Sequence, residues 1–311
     1  MTHVYTMIID SHIHLTNFAY EGTFTFFNEE NGSFVLSEGN REDILRLCRE
    51  AGVGAFVEPA IEIESNYKIL AAAKNHPGLF FPVIGVHPTR TYKYRTVDAN
   101  GVHHDYYLRW TERHEVEMLA RTPGVVAIGE TGLDYHFERA EQHRTHQKAW
   151  FIWQISLADK LGLPLVLHIR EADRDALRIL RRYRNKLHGG VVHCFYGDAE
   201  RAREYTDLGL MIGIGGALLS DPAEDNPLED AVKAIPLESI LIETDGPYVK
   251  PYITGVSGKK RKKARNTSLI LPQLIKRIAE LKNSTPGEVE QIATENAIRL
   301  FSLCVNENRP Q

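Results

Sequence analysis

Met7-Ile8-Ile9-Asp10-Ser11-His12-Ile13-His14-Leu15 forms the first recognisable element of the chain. Its apolar start is typical of a strand that is buried on both faces. Because side chains alternate along a strand, His12 and His14 should point to one side and Ile13 to the other. Two imidazoles at one strand end can share a metal ion, although an isolated His-x-His is more often a hydrogen-bonded or exposed pair. Further ligands at the ends of other strands would decide between these interpretations.

Seven more short apolar runs follow this first strand and alternate with helical patterns. The strands predicted from them span residues 55–59, 80–88, 125–135, 164–170, 190–197, 210–216 and 240–245. Helices are predicted between them, for example at 41–51, 66–74 and 141–161, the last ended by Gly162. Eight apolar strands that alternate with helices favour an α/β fold of the (β/α)8 TIM-barrel type. An open doubly wound sheet is the alternative, but its Gly-rich first turn is missing here.

The composition is that of an ordinary globular protein, with 311 residues, 43% hydrophobic and 25% charged. One barrel domain can use all of residues 1–311. The net charge of −4 provides no molecule-wide attraction for a polyanion, so nucleic acid would need a local basic patch. Three widely spaced cysteines argue against a disulfide framework. With no signal segment and no apolar run long enough for a bilayer, we expect a soluble cytoplasmic protein with no membrane partner.

The chemistry-bearing residues fall at strand ends. In a (β/α)8 barrel the C-terminal ends of all strands share one mouth, so residues there converge. The imidazoles and carboxylates placed there are His12, His14, His87, Glu130, His168, His193 and Asp245. Such N and O ligands suit borderline divalent metals, and their number suits two ions about 3.5–4 Å apart with a bridging carboxylate.

Each of these residues also has an ordinary structural interpretation. Alone, His168 or His193 would be a core histidine with satisfied hydrogen bonds, and Asp245 would cap a turn. Their common position at one mouth favours a metal site instead. His87, which precedes Pro88, is an alternative substrate-binding group, and Asp10 is predicted to accept a hydrogen bond that orients a ligand.

Six ordered motifs add a family resemblance. They are residues 10–15 (DSHIHL), 85–88 (GVHP), 129–135 (GETGLDY), 167–172 (LHIREA), 192–195 (VHCF) and 243–248 (ETDGPY). In order and spacing the chain resembles the TatD-like hydrolases of the amidohydrolase superfamily, from residue 8 to about residue 303. The resemblance implies a TIM-type barrel, a two-metal centre and metal-dependent deoxyribonuclease activity, often exonucleolytic.

The resemblance also implies residue roles. His12 and His14 would hold one ion with Asp245, Glu130 would bridge, and His168 and His193 would hold a second ion. Asp245 and Glu130 are the predicted catalytic residues, with Asp245 taking a proton from a metal-activated water. His87 and Arg170 are predicted to contact the phosphoryl group. The two divalent ions could be Mg²⁺, Mn²⁺ or Zn²⁺, and the sequence leaves their identity open.

Compared with compact members of the family that the chain resembles, three stretches look enlarged, at about residues 17–40, 90–110 and 250–265. The first reads as an inserted β-hairpin, and the second is rich in aromatic residues. The third contains the basic run Lys259, Lys260, Arg261, Lys262 and Lys263. All three follow strands, so all should lie on the active-site face. Cations beside aromatic rings are typical of a single-stranded nucleic acid groove, but a solvated basic loop is an equally good interpretation.

Three functional classes remain open from sequence. The first is a metal-dependent nuclease with DNA as the main substrate. The second is an amide or ester hydrolase, such as an aminoacyl-tRNA deacylase, because the same activated water attacks a carbonyl carbon. The third is a non-catalytic barrel within a larger assembly. Inhibition by salt would favour a polyanionic substrate, and absence of bound metal would favour the third class.

Overall fold

The structure is a computed structural model that describes residues 7–30, 32–97, 103–107, 110–136, 141–221, 223–253, 256 and 258–305. Within these residues the strands are β1 (Ile8–Asp10), β2 (Phe24–Glu30), β3 (Ser33–Gly39), β4 (Val53–Pro59), β5 (Phe80–Ile84), β6 (Tyr92–Val97), β7 (His103–Tyr107), β8 (Ala127–Asp134), β9 (Leu165–Arg170), β10 (Gly190–Val192), β11 (Met211–Ile214) and β12 (Ile240–Ile242). The helices are α1 (Arg41–Glu50), α2 (Ile63–Asn75), α3 (Trp110–Ala120), α4 (Glu141–Leu161), α5 (Asp173–Arg182), α6 (Ala199–Thr206), α7 (Pro227–Ala234), α8 (Gly258–Lys263), α9 (Leu271–Lys282) and α10 (Pro286–Phe301).

Eight strands form one parallel sheet in the order β1-β4-β5-β8-β9-β10-β11-β12. Every neighbouring pair in this order is parallel. The first and last strands meet just beyond their ends, where the N–H of Ser11 donates to the carbonyl of Ile242 (3.1 Å) and that of His14 donates to the carbonyl of Gly246 (2.9 Å). The predicted (β/α)8 TIM-type barrel is therefore confirmed.

The barrel interior is a packed core. One cluster of buried side chains draws members from β1, β4, β5, β8, β9, β10 and β12, with Val57, Val166 and Leu241 fully buried. Phe301 and Leu303 of the C-terminal segment belong to the same cluster and cover the end of the barrel where the strands begin. This end is therefore filled with apolar side chains, and polar chemistry is confined to the opposite mouth.

The strands are shorter than the apolar runs predict. β5 ends at Ile84 rather than 88, β10 at Val192 rather than 197, and β12 at Ile242 rather than 245. The chain leaves the sheet there because residues beyond the strand ends turn toward the centre of the mouth. Helix α7 was not predicted, although Asn226 caps it and Pro227 occupies its first turn.

The first enlarged stretch is the predicted hairpin, formed by antiparallel β2 and β3. The basic run was predicted as a loop and is instead helix α8, followed by a segment that pairs with the hairpin. There the N–H of Arg265 donates to the carbonyl of Thr25 (2.8 Å), and the N–H of Phe27 donates to the carbonyl of Arg265 (3.0 Å). The hairpin and α8 are thus joined through this segment.

The second enlarged stretch contains the antiparallel pair β6 and β7, which no pattern in the sequence predicted. For the aromatic residues of this stretch at positions 94, 103, 104, 106, 107 and 110, the described part of the chain includes the backbone but not the side chains. Among the helices whose residues the structure describes, none combines the length and apolarity needed to cross a membrane.

Candidate metal centre

His12 and His14 lie in the extended segment that continues β1, and their imidazoles meet as strand alternation predicts. Their Nε2 atoms are 3.3 Å apart, while Ile13 between them is fully buried in the core. Asp245, which follows β12, brings its Oδ1 to 3.4 Å from Nε2 of His14 and 3.7 Å from Nε2 of His12. The three side chains form one converging set at the junction of the first and last strands.

Glu130 in β8 is the centre of a second set. Its Oε1 lies 2.7 Å from Nε2 of His193 and 3.0 Å from Nδ1 of His168. Its other oxygen, Oε2, lies 3.7 Å from Nε2 of His12 and 3.8 Å from Nε2 of His14. One carboxylate therefore faces both histidine pairs, which is the position of a bridging ligand.

Hydrogen bonds on the far side of the rings set the orientation of the imidazoles. Nδ1 of His14 donates to the carbonyl of Pro59 (3.2 Å), and Nε2 of His168 donates to the carboxylate of Asp134 (3.0 Å). In a neutral ring the proton is then on the outer nitrogen, and the nitrogen that faces Glu130 carries a lone pair. This is the arrangement of metal-ligating histidines with an outer hydrogen-bond partner.

His87 has the opposite arrangement. The backbone N–H of Thr89 donates to its Nδ1 (3.2 Å), so in neutral His87 the proton is on Nε2, which lies 3.4 Å from Oε1 of Glu130. Burial, followed by the nearby His168, lowers the pKa of His87 to about 3 and keeps the ring neutral. Its inward nitrogen is therefore a hydrogen-bond donor.

Asp10 lies beneath these residues and is fully buried. Its Oδ1 accepts the N–H groups of His12 and Thr244 (both 3.2 Å), and its Oδ2 accepts the hydroxyls of Thr244 and Ser268 (both 2.6 Å). Asp10 therefore binds the backbone of the candidate ligand His12 and of Thr244, the neighbour of the candidate ligand Asp245, rather than an imidazole ring.

The electrostatics of the site couple its charges tightly. Burial lowers the pKa of His12 well below its usual range, which favours the neutral ring. Burial is the largest single influence on Glu130 and His193 and opposes the charge of each. Their mutual attraction, together with His87 and His168 beside Glu130 and with Glu243 beside His193, outweighs it, so the pKa of Glu130 lies well below its usual range and that of His193 well above it. The carboxylate is thus ionised, as a bridging ligand must be.

The donor set fits divalent metal ions. Ligand atoms that lie within 4.8 Å of one another form three overlapping groups, namely His12, His14 and Asp245; His12, Glu130 and His193; and His87, Glu130 and His168. Ring nitrogens approach each other at 3.3 Å for Nε2 of His12 and Nε2 of His14, and at 3.1 Å for Nδ1 of His168 and Nε2 of His193. A cation between them would relieve this contact, and the N and O donors match zinc, manganese and related ions.

The predicted substrate-binding residues divide into two groups. Arg170 is exposed and borders a cavity of about 560 Å³ that opens onto His168, His193 and Asp245. Lys259, Lys260, Arg261, Lys262 and Lys263 lie in α8, and among the described residues none of the five borders this cavity or the smaller one beside His14. The basic run is therefore placed away from the carboxylate and imidazole cluster.

Three residues of the site were quoted in motifs but given no role from sequence. Asp134 holds His168; it lies four residues after Glu130 in β8, and the alternation of strand side chains could have placed both on one face. Glu243 is buried, accepts the N–H of Cys194 and lies 3.7 Å from Nδ1 of His193. Tyr248 lies at the mouth of the barrel, and no hydrophobic periodicity in the sequence points to it as a site residue.

Several known proteins that are similar to this chain belong to one family. The family described as TatD related DNase matches residues 9–302. A "3'-5' ssDNA/RNA exonuclease TatD" from Edwardsiella piscicida is 32% identical over 89% of this chain and 97% of its own. An "uncharacterized metal-dependent hydrolase TatD" from Mycobacterium tuberculosis is 35% identical over 84% of this chain and 90% of its own. The crystal structure of YJJV, a TatD homologue from Escherichia coli K12, superposes with a TM-score of 0.74 at 25% identity and covers 95% of this chain and 98% of its own.

Proposed function

Since the chain belongs to the TatD family of metal-dependent hydrolases, we propose that its site removes nucleotides one at a time from single-stranded nucleic acid, with DNA as the main substrate. The chain is a metal-dependent hydrolase of the deoxyribonuclease type. The name of the Edwardsiella piscicida relative supports attack from the 3′ end. The relatives give no support to the alternative, an amide or ester hydrolase such as an aminoacyl-tRNA deacylase.

One observation carries the proposal. The two oxygens of Glu130 face different histidine pairs, with Oε1 beside His168 and His193 and Oε2 beside His12 and His14. We assign two divalent ions to this arrangement. His12, His14 and Asp245 would hold one, His168 and His193 would hold the other, and Glu130 would bridge them. Such ions supply an activated water near neutral pH and polarise a phosphoryl oxygen.

The remaining steps belong to side chains of the chain itself. The side chain of Asp245 is 15% exposed and borders the larger cavity, so it can accept the proton of a water that attacks phosphorus there. The ester bond from phosphorus to the departing sugar oxygen breaks in the same displacement, and that oxygen leaves as a hydroxyl after taking up a proton from solvent. The Nε2–H of His87 can donate to the phosphoryl oxygen on which charge develops. Arg170, on the same cavity, suits a neighbouring phosphate of the strand.

The test is a gel assay of end-labelled single- and double-stranded DNA and RNA with Mg²⁺, Mn²⁺ or Zn²⁺. Wild type should shorten single strands stepwise, and a chelator should stop it. Asp245→Asn should lower the rate ~10²–10⁴-fold, because it removes the proton acceptor. Asp230→Asn makes the same change on a carboxylate that is 74% exposed in α7, and should leave the rate unchanged.

Two outcomes would count against the proposal. If wild type binds metal but cuts none of the four nucleic acids, the substrate assignment is wrong. If Asp245→Asn and Asp230→Asn cut equally fast, the role of Asp245 is wrong even though the activity stands.

A further inference from the structure

Two cavities flank the proposed metal centre, and Tyr248 borders both. The larger, about 560 Å³, lies on the side of His168, His193 and Asp245. The smaller, about 120 Å³, lies on the side of His14 and Pro59. Tyr248 therefore forms part of the wall of both cavities beside the cluster.

Tyr248 is held firmly although it is 46% exposed. Its hydroxyl accepts a hydrogen bond from Nδ2 of Asn17 (3.2 Å), and its backbone N–H donates to the carbonyl of Asp245 (2.8 Å). Its ring stands edge-on to His14, with the ring centres 6.0 Å apart. The next residue, Val249, has φ +40°, a conformation that a β-branched residue adopts only when its surroundings impose it.

Phe18 borders the smaller cavity and is 75% exposed. The turn that carries it is also fixed, because Oδ1 of Asn17 accepts the N–H of Ala19 (2.9 Å) and the buried carboxylate of Glu58 accepts the N–H of Thr16 (2.5 Å). An ordered backbone therefore presents a bare aromatic ring to solvent. Among the described residues five large hydrophobic side chains are exposed, and three of them, Phe18, Tyr196 and Tyr248, border the two cavities.

The lining of the smaller cavity combines apolar walls with charge. Ile61, Ile69 and Pro59 form the apolar wall. Lys68 and Arg90 add cationic groups, and Glu62, whose Oε2 lies 3.8 Å from Nε of Arg90, adds one anionic group. An apolar cavity of about 150 Å³ accommodates a benzene molecule, so an open space of about 120 Å³ suits one planar ring and not a complete nucleotide. Exposed aromatic rings beside cations are the means by which proteins hold unpaired bases next to their phosphates.

We propose that the smaller cavity is a nucleobase subsite, in which one base of the strand stacks against Phe18 and Tyr248 while the adjoining phosphate lies at the metal centre. This inference rests on the proposed function, because it requires a nucleic acid substrate. The larger cavity then receives the nucleotide on the other side of the scissile phosphate, beside Arg170 and Tyr196. Stacking accepts any base, so the subsite selects for an unpaired base and not for a sequence.

The experiment couples a protein variant to a substrate variant. Wild type, Phe18→Ala and Phe18→Tyr are compared on a single-stranded oligonucleotide and on a series in which one abasic residue is moved stepwise from the end that is attacked. Met118→Ala removes an exposed apolar side chain (56% exposed) on α3 and is the matched control.

Phe18→Ala should raise KM roughly 5- to 150-fold, the range for loss of one stacked base, with kcat nearly unchanged. Phe18→Tyr and Met118→Ala should behave as wild type. At one position along the strand, the abasic residue should raise the KM of wild type by a similar factor. At the same position it should raise the KM of Phe18→Ala much less, because that variant has already lost the stacking contact.

The outcomes separate this inference from the proposed function. If wild type cuts no nucleic acid, the proposed function fails and the subsite fails with it. If wild type cuts, but Phe18→Ala leaves KM unchanged or the abasic effect is equal in both proteins at every position, the nuclease stands and the subsite is wrong. Circular dichroism of each variant excludes a folding defect as the cause of a raised KM.

Discussion

His168 and Asp134 form a partly buried pair at the edge of the site, with Nε2 of the imidazole 3.0 Å from Oδ2 of the carboxylate. The opposite ring nitrogen faces Glu130 at 3.0 Å. Asp134 therefore decides which nitrogen of His168 carries the proton and which is available as a ligand.

Replacement of Asp134 should consequently weaken metal binding. Asp134→Asn keeps the size of the side chain but lowers the basicity that Asp134 confers on His168, and we expect a loss of about 10- to 100-fold in metal affinity. Calorimetric titration of metal-free protein with Zn²⁺ or Mn²⁺ measures it. The control is Asp159→Asn, since Asp159 makes the same kind of contact with Nε2 of His188 (3.2 Å) on the surface. Equal affinities for the two variants would contradict the role of Asp134.

His87 should affect turnover without affecting metal content. Its inward nitrogen is a donor, so His87→Ala removes a hydrogen bond to the transition state and leaves the ligand nitrogens in place. We expect kcat to fall ~10²–10³-fold, as for loss of one such donor, with unchanged bound metal by atomic emission. His114→Ala, at an exposed position in α3, should change neither quantity. A variant that lost metal together with activity would identify His87 as a ligand instead.

Gly132 is required by the close approach of two strands. It has φ +134°, and a Cβ there would meet the carbonyl oxygen of His168 on β9. Gly132→Ala should therefore displace His168, lower the metal content and destabilise the fold by more than the ~1–3 kcal/mol of backbone strain alone. Gly124→Ala imposes a similar strain at φ +93° with nothing within 4 Å, so it is the matched control. If Gly132→Ala and Gly124→Ala had equal free energies of unfolding in urea, the contact of residue 132 with β9 would be unimportant for stability.

The basic helix α8 should act on substrate affinity over a distance. Replacing Lys259, Lys260, Lys262 and Lys263 with Gln should raise KM for a long single strand and leave kcat nearly unchanged. KM should also depend less on salt: the slope of log KM against log salt concentration should fall by ~0.7 for each phosphate contact that is lost. The control removes equal charge from four exposed lysines elsewhere on the barrel helices: Lys74, Lys160, Lys233 and Lys276. If both quadruple variants shift KM equally, net charge and not α8 is responsible.

The sequence predicted most of the fold and the convergence of the candidate ligands at one mouth of the barrel, because both depend on local patterns. Alternation along β1 placed His12 and His14 on one face, and barrel topology placed Glu130 and Asp245 beside them. Helix α8 was missed because its run of lysine and arginine has no apolar period from which a helix can be inferred.

Other features depend on contacts that a linear pattern does not contain. The donor state of His87 follows from the N–H of Thr89, and the orientation of His168 follows from Asp134. The hydroxyl of Tyr248, at the border of two cavities, is held by Asn17, a residue 231 positions earlier in the chain. Such pairings are set by tertiary packing, which periodicity alone does not report.

The junction of the first and last barrel strands has a consequence for biosynthesis. The backbone of Asp245 donates to the carbonyl of His12 (2.9 Å), and its carboxylate completes a set with His12 and His14, which are more than two hundred residues earlier. During translation the two histidines leave the ribosome long before their carboxylate partner exists. A nascent chain therefore cannot assemble this ligand set, and hydrolytic competence arises only when synthesis has passed the last strand and the barrel has closed.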